Sequence, residues 1–167
     1  MLSDLISKKD CANCQFCCVF KETSLWEVPT FPEDTINRIA KEVKSADVVI
    51  NKGEKCSYGH FDLSKKYTSN DPNEEVACPC LDSQTGCTLS DEYKPFECKL
   101  WPFRVMKKDG RNVIAVSIAC PAVKKWECEW LRSFADSKLK APVKDYIKTH
   151  PYIIKDIQKG YLALLEV

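Results

Sequence analysis

The chain has 167 residues, 44% of them hydrophobic and 29% charged, enough for one domain with a substantial core. Lysine and arginine number 25 against 24 for aspartate and glutamate, so a general nucleic-acid or membrane-surface binder, which carries excess positive charge, is not expected. No run of about 18 apolar residues predicts a membrane span, and the opening MLSDLISKKD, interrupted by Asp4, does not read as an export signal. The expected location is the cytoplasm.

The first element is DCANCQFCCVF, which places Cys11, Cys14, Cys17 and Cys18 within eight residues. A CxxC step lets two thiolates reach one metal. CANCQFC contains two such steps in series, so three ligands come from seven residues. This matches the CxxCxxC part of the bacterial ferredoxin run, whose completing ligand is a remote cysteine followed by proline. Cys78-Pro79 and Cys120-Pro121 both qualify. The vicinal pair Cys17 and Cys18 is awkward for one small site, because adjacent side chains diverge. Service to two neighbouring metals, one thiol facing the core, and a strained vicinal disulfide are all open.

Next, VPTFPEDTINRIAKEVKS reads as a capped helix. Pro32 suits its first turn, Glu33 and Asp34 its positive dipole end, and Ile36, Ile39, Ala40 and Val43 form the core-facing stripe. ADVVIN is a short strand, and YGHFDLSKKYTSNDPNEE a short extended element followed by a surface loop. LWPFRVMKKDGRNVIAVSIA has two β-branched runs around Asp109-Gly110, a strong hairpin signal. AVKKWECEWLRSFADSKLK predicts an amphipathic helix with Val123, Trp126, Trp130, Leu131 and Phe134 on one stripe. The closing APVKDYIKTHPYIIKDIQKGYLALLEV is expected to be helical on both sides of Pro151. The fold class is α+β: a small antiparallel sheet with a β-hairpin at about 100–118, and three to four helices around a Cys-rich metal site. Residues 1–167 are read as one metal-binding domain, with the motif region at 11–120 and a C-terminal helical segment at 121–167.

Eleven cysteines in a secreted chain would suggest a disulfide framework. An odd count, a chain long enough to fold without staples, and no visible export signal favour metal ligation instead. A second set follows in CPCLDSQTGCTLSDEYKPFECKLWPF, with Cys78, Cys87 and Cys98 spaced by nine and eleven positions. Cys56, Cys80 and Cys128 stand outside the pattern. Cys128 is expected to pack between Trp126 and Trp130, while Cys80 is a spare thiol that can swap in as a ligand. His60 and His150 lack ligand spacing, with His60 a candidate fourth ligand only for zinc. Lys94, Lys99, Arg104, Lys107 and Lys108 read as a solvated hairpin face, or alternatively as a field that stabilises a thiolate cluster or docks an acidic partner. Trp26, Phe31, Trp101, Phe103, Trp126 and Trp130 are expected to pack a dry shell around the metal.

CANCQFCC followed by the second set resembles the CxxCxxCC, or YkgJ-like, family of zinc- or iron-chelating cysteine-cluster domains. The family's Cys-Pro and Leu fall on Cys78, Pro79 and Leu81. Its Gly-Cys falls on Gly86 and Cys87, its Tyr, Pro and Cys on Tyr93, Pro95 and Cys98, and its Trp-Pro on Trp101 and Pro102. A further family cysteine matches Cys120. Cys80 stands where the family has an aromatic, and Lys94 where it has arginine, which removes a planar fork of donors. The resemblance implies metal ligands at Cys11, Cys14, Cys17, Cys18, Cys78, Cys87, Cys98 and Cys120. They would hold an iron–sulfur cluster of the 4Fe–4S type, with zinc as the alternative. The implied role is electron transfer or cluster-dependent modification of a protein partner. Zinc would instead make a structural interaction module. A distant relation to the domain in flagellin lysine N-methylases adds the alternative of an S-adenosylmethionine-dependent protein lysine methyltransferase-like enzyme. No glycine-rich methyl-donor loop or CxxxCxxC radical motif accompanies it.

Overall fold

A computed structural model describes residues 14–43 and 46–167. Their contacts fall into two compact units, one ending at Phe96 and the other running from Glu97 to Val167. Mixed helices and mostly antiparallel sheets give the expected α+β class. Among the described residues, no helix is long and apolar enough to cross a membrane.

In the first unit, a 3₁₀ turn at Phe16–Cys18 leads into β1 (Val19–Lys21). β2 (Phe31–Pro32) feeds helix α1 (Glu33–Glu42). Pro32 stands one position before the first helical residue, and Glu33 and Asp34 occupy the first turn, where carboxylates meet the positive end of the helix dipole. Ile36 and Ile39 are buried, as the 3.6-residue period requires. The predicted strand after α1 is β3 (Val48–Lys52), which pairs antiparallel with β4 (Ser57–Phe61). The sheet order is β2-β4-β3. Gly59 on β4 lies opposite both Phe31 and Ile50. A Cβ there would meet Ile50 Cδ1 at 2.7 Å, Val49 O at 2.9 Å and Ile36 Cγ2 at 3.0 Å. Glycine therefore lets α1 settle onto the sheet. Phe31 and Phe61 pack edge to face at 5.6 Å in a core with Phe20, Val28, Ile36, Ile39, Leu63 and Cys80.

The polar stretch after β4 is a surface loop, as expected, and Glu74 ties it together. Its carboxylate accepts from the backbone and hydroxyl groups of both Thr68 and Ser69. β5 (Glu75–Ala77) then pairs with β1, and the small hairpin β6 (Leu81–Asp82) and β7 (Gly86–Cys87) follows.

Helix α2 (Phe96–Leu100) begins at the boundary, and the second unit is built on the hairpin of β8 (Phe103–Lys108) and β9 (Arg111–Ser117). Lys108 pairs with Arg111 across a two-residue turn. Asp109 and Gly110 both have positive φ, 51° and 79°, the turn geometry that matches strand twist. The helix expected over 122–140 starts later than the periodicity suggests. Val123–Lys125 is a 3₁₀ turn, α3 spans Cys128–Phe134, a π-helical turn covers Ala135–Leu139, and α4 spans Lys140–Thr149. Trp126 therefore precedes the helix. It stacks on Trp130 at 3.9 Å, Trp130 on Phe134 at 5.3 Å, and Phe134 on Phe103 at 5.9 Å. Cys128 is exposed on the first turn and does not pack between the tryptophans.

The expected helix beyond Pro151, and with it the helical segment to 167, is corrected. After Thr149 come one 3₁₀ turn, Pro151–Ile153, then β10 (Lys155–Asp156) and β11 (Tyr161–Glu166). Pro151 ends the helical hydrogen-bond ladder, Gly160 turns the chain at φ 94°, and the apolar run pairs with β9. The sheet order is β10-β8-β9-β11, with β10 parallel to β8. Arg104 also departs from the solvated face assigned to it. It is buried on β8 and pairs with buried Glu97 at 2.8 Å, and Lys155 reaches the same carboxylate at 3.2 Å. Lys107 and Lys108 are exposed, as that reading expects.

Candidate metal centre

The first unit brings the two cysteine runs together. Gln15 adopts a left-handed conformation with φ 50°, and the Cys18 N–H closes the turn on the Gln15 carbonyl at 2.9 Å. That turn sets the Cys17 and Cys18 thiols 3.9 Å apart. Two hydrogen bonds dock the loop on the second run. The Cys78 N–H donates to the Cys18 carbonyl at 2.7 Å, and Gln15 Nε2 donates to the Ser83 carbonyl at 3.0 Å.

The second run is held as firmly. Asp82 Oδ1 accepts from the Gln84 N–H, the Thr85 N–H and the Thr85 hydroxyl at 3.0, 2.7 and 2.8 Å. These donors hold its carboxyl below the usual range. Gly86 follows with φ 82°, a conformation that favours glycine, and delivers Cys87 opposite Leu81. On the other side, Pro79 and Cys80 form a turn closed by the Leu81 N–H on the Cys78 carbonyl at 2.9 Å. The Cys80 carbonyl accepts from the Thr88 N–H at 2.9 Å and the Thr88 hydroxyl at 3.1 Å.

Four thiols of this unit are electrostatic neighbours. Cys78 feels Cys80 and Cys18, and Cys87 feels Cys18 and Cys78. A hydrogen bond with the Cys80 thiol, and then burial, push the Cys78 thiol well up, while the Cys80 amide N–H pulls the other way by donating to it. Burial also raises Cys87, against the Leu89 N–H donated to its sulfur and the charge of Lys94. Both sulfurs thus accept from the amide two residues ahead, a donor that favours the thiolate. Cys78, Leu89 and Tyr93 pack against the apolar core that contains Cys80, and the Tyr93 hydroxyl accepts from Arg38 at 2.8 Å.

Of the predicted ligands, Cys11 lies outside the described residues. Cys14 is exposed, Cys17, Cys18 and Cys78 are partly buried, and Cys87 lies at the exposed rim. Cys98, exposed on α2, and Cys120, buried after β9, belong to the second unit, as do Trp101, Phe103, Trp126 and Trp130 of the expected aromatic shell. None of the ten described cysteines is in a disulfide. Among the described residues, no three His, Cys, Asp or Glu side chains stand in a ready-made metal shell; the thiols gather as neighbours and pairs. Cys80, the spare thiol of the sequence, is buried in the apolar core of the first unit. The chain matches no protein-family model, no curated protein and no solved structure.

Proposed function

We propose that this chain is a metal-binding protein that holds an iron–sulfur cluster through thiolates of the N-terminal loop and the 78–87 segment. The observation that supports the reading is the docking of the N-terminal cysteine loop on the 78–87 segment, through the Cys78 N–H on the Cys18 carbonyl at 2.7 Å and Gln15 Nε2 on the Ser83 carbonyl at 3.0 Å, with amide N–H groups of Cys80 and Leu89 donated to the Cys78 and Cys87 sulfurs. Amide donors and a dry surround are the levers by which a protein stabilises and tunes a thiolate-bound cluster. Lys94 beside Cys87 supplies compensating positive charge. The donor set fits: soft thiolates select zinc or iron–sulfur centres over hard cations.

Held in this way, the cluster would serve electron transfer or the modification of a protein partner in the cytoplasm, consistent with the YkgJ-like resemblance of the cysteine runs. A second reading, a zinc-stabilised interaction module, is favoured by one observation. Each of two short loops offers a sulfur with an amide donor two residues ahead, and two such loops suit one tetrahedral ion. Replacing Cys78 with serine is expected to abolish metal retention in either case. Acid-labile sulfide in the wild-type protein separates the readings, being present with iron for the first and absent with zinc for the second. A Cys78→Ser protein that folds and keeps the wild-type metal content would overturn both.

A further inference from the structure

We infer that β3 is a docking edge for a second copy of this chain. Two β3 strands pair antiparallel about a two-fold axis at Ile50 and join two three-stranded sheets into one.

β3 (Val48–Lys52) lies at the edge of the β2-β4-β3 sheet. In an antiparallel ladder, residues that bond to the neighbouring strand alternate with residues whose N–H and C=O point away from it. The flanking bonds fix which are which. The Asp62 N–H donates to the Asp47 carbonyl at 2.8 Å, and the Gly53 N–H to the Cys56 carbonyl at 3.3 Å. Asp47, Val49, Asn51 and Gly53 therefore turn their backbone groups to β4, and those of Val48, Ile50 and Lys52 point outward. Among the described residues, no strand pairs with them. Open edges invite another strand and are usually blunted, as the other edges of the larger sheets are. β2 has two residues and ends in Pro32, and β10 has two residues. β11 carries a register shift and gives its Leu164 carbonyl to Arg132 Nε at 3.0 Å. β3 instead keeps regular register over five residues without proline, and Val49 and Ile50 on it are 37% and 38% exposed.

The register singles out the occupant. A two-fold axis at Ile50 sets Ile50 opposite its own copy, Val48 opposite Lys52 and Val49 opposite Asn51. The outward-pointing backbone groups then meet each other, with two hydrogen bonds between the Ile50 residues and two at each Val48–Lys52 pair. The Ile50 side chain lies over Gly59 on the α1 face of the sheet, where it covers its counterpart. No like charges stand opposite each other across these pairs. The strand is entered from Asp47 and ends in Lys52, so antiparallel pairing brings the acidic end of one copy to the basic end of the other.

The test is analytical ultracentrifugation of the full chain, purified without oxygen to keep its thiols reduced. The wild type is compared with I50K and I50E variants, each alone and both mixed, with folding checked by circular dichroism. The wild type is expected to dimerise. Each variant alone sets like charges face to face at the axis and is expected to self-associate about tenfold more weakly. Their equimolar mixture is expected to restore a dimer of one copy of each. Hydrogen exchange on the wild type adds a readout that needs no variant. The Ile50 and Lys52 amides are expected to gain protection as concentration rises, while those of Val49 and Asn51 are protected throughout. A wild type that stays monomeric at every concentration would overturn the inference, as would a folded I50K protein that dimerises as tightly as the wild type. A dimeric wild type whose Ile50 and Lys52 amides exchange alike at low and high concentration would also overturn it, and that result decides even if the variants fail to fold.

Discussion

Glu74 is the most heavily hydrogen-bonded carboxylate of the surface loop. Donors from Thr68 and Ser69 pull its pKa from 4.5 down to about 2. A depressed folded-state value means that the contribution to stability is full above about pH 4.5, declines through the window between the two values, and is gone below about pH 2. An NMR titration of the Glu74 carboxyl is expected to give a midpoint near 2, and a midpoint near 4.5 would contradict the loop geometry. Glu97 poses the opposite case, a carboxylate 4% exposed that faces both Arg104 and Lys155. Glu97→Gln leaves two poorly hydrated cations without that counter-charge and is expected to cost on the order of 3 kcal/mol, measured by denaturant unfolding. A loss below about 1 kcal/mol would mean that the group behaves as an exposed pair. None of this was legible in the sequence. Arg104 sits in a run with Lys107 and Lys108 that reads as a solvated face, and only the pairing of β8 with β10 brings Lys155 to Glu97.

At the scale of elements, local chemistry that names its own geometry was read correctly. Asp109-Gly110 specified the β8–β9 turn, and the spacing of Ile36 and Ile39 specified the buried face of α1. The failures came where tertiary pairing overrides local preference. YLALLE carries no clean alternation, and its β11 strand exists because β9 offers an edge. Similarly, Trp126 fits a helical stripe in the sequence but stacks on Trp130 from outside the helix. Gly59 provides the sharpest test of how α1 meets its sheet. Gly59→Ala would force its methyl against the Val49 carbonyl and Ile36, with an expected cost of about 1–3 kcal/mol from overpacking. An unchanged unfolding midpoint would show that α1 does not press on β4 at that point.

For the whole molecule, the two cysteine runs stand out in the sequence by their spacing, and the first unit docks one on the other through the Cys78 N–H on the Cys18 carbonyl. The burial of Cys80 was not legible, since it is a property of the folded chain. If metal joins residues separated by some sixty positions, its free energy of binding is also folding free energy. A strong chelator is therefore expected to lower the thermal transition of the metal-replete protein, and an unmoved transition would separate the thiols from the stability of the fold. The most direct test is iron, zinc and acid-labile sulfide analysis, with a visible absorption spectrum, on wild-type protein purified without oxygen. The account predicts iron with matching sulfide and a coloured protein. A colourless protein with neither iron nor zinc would contradict it.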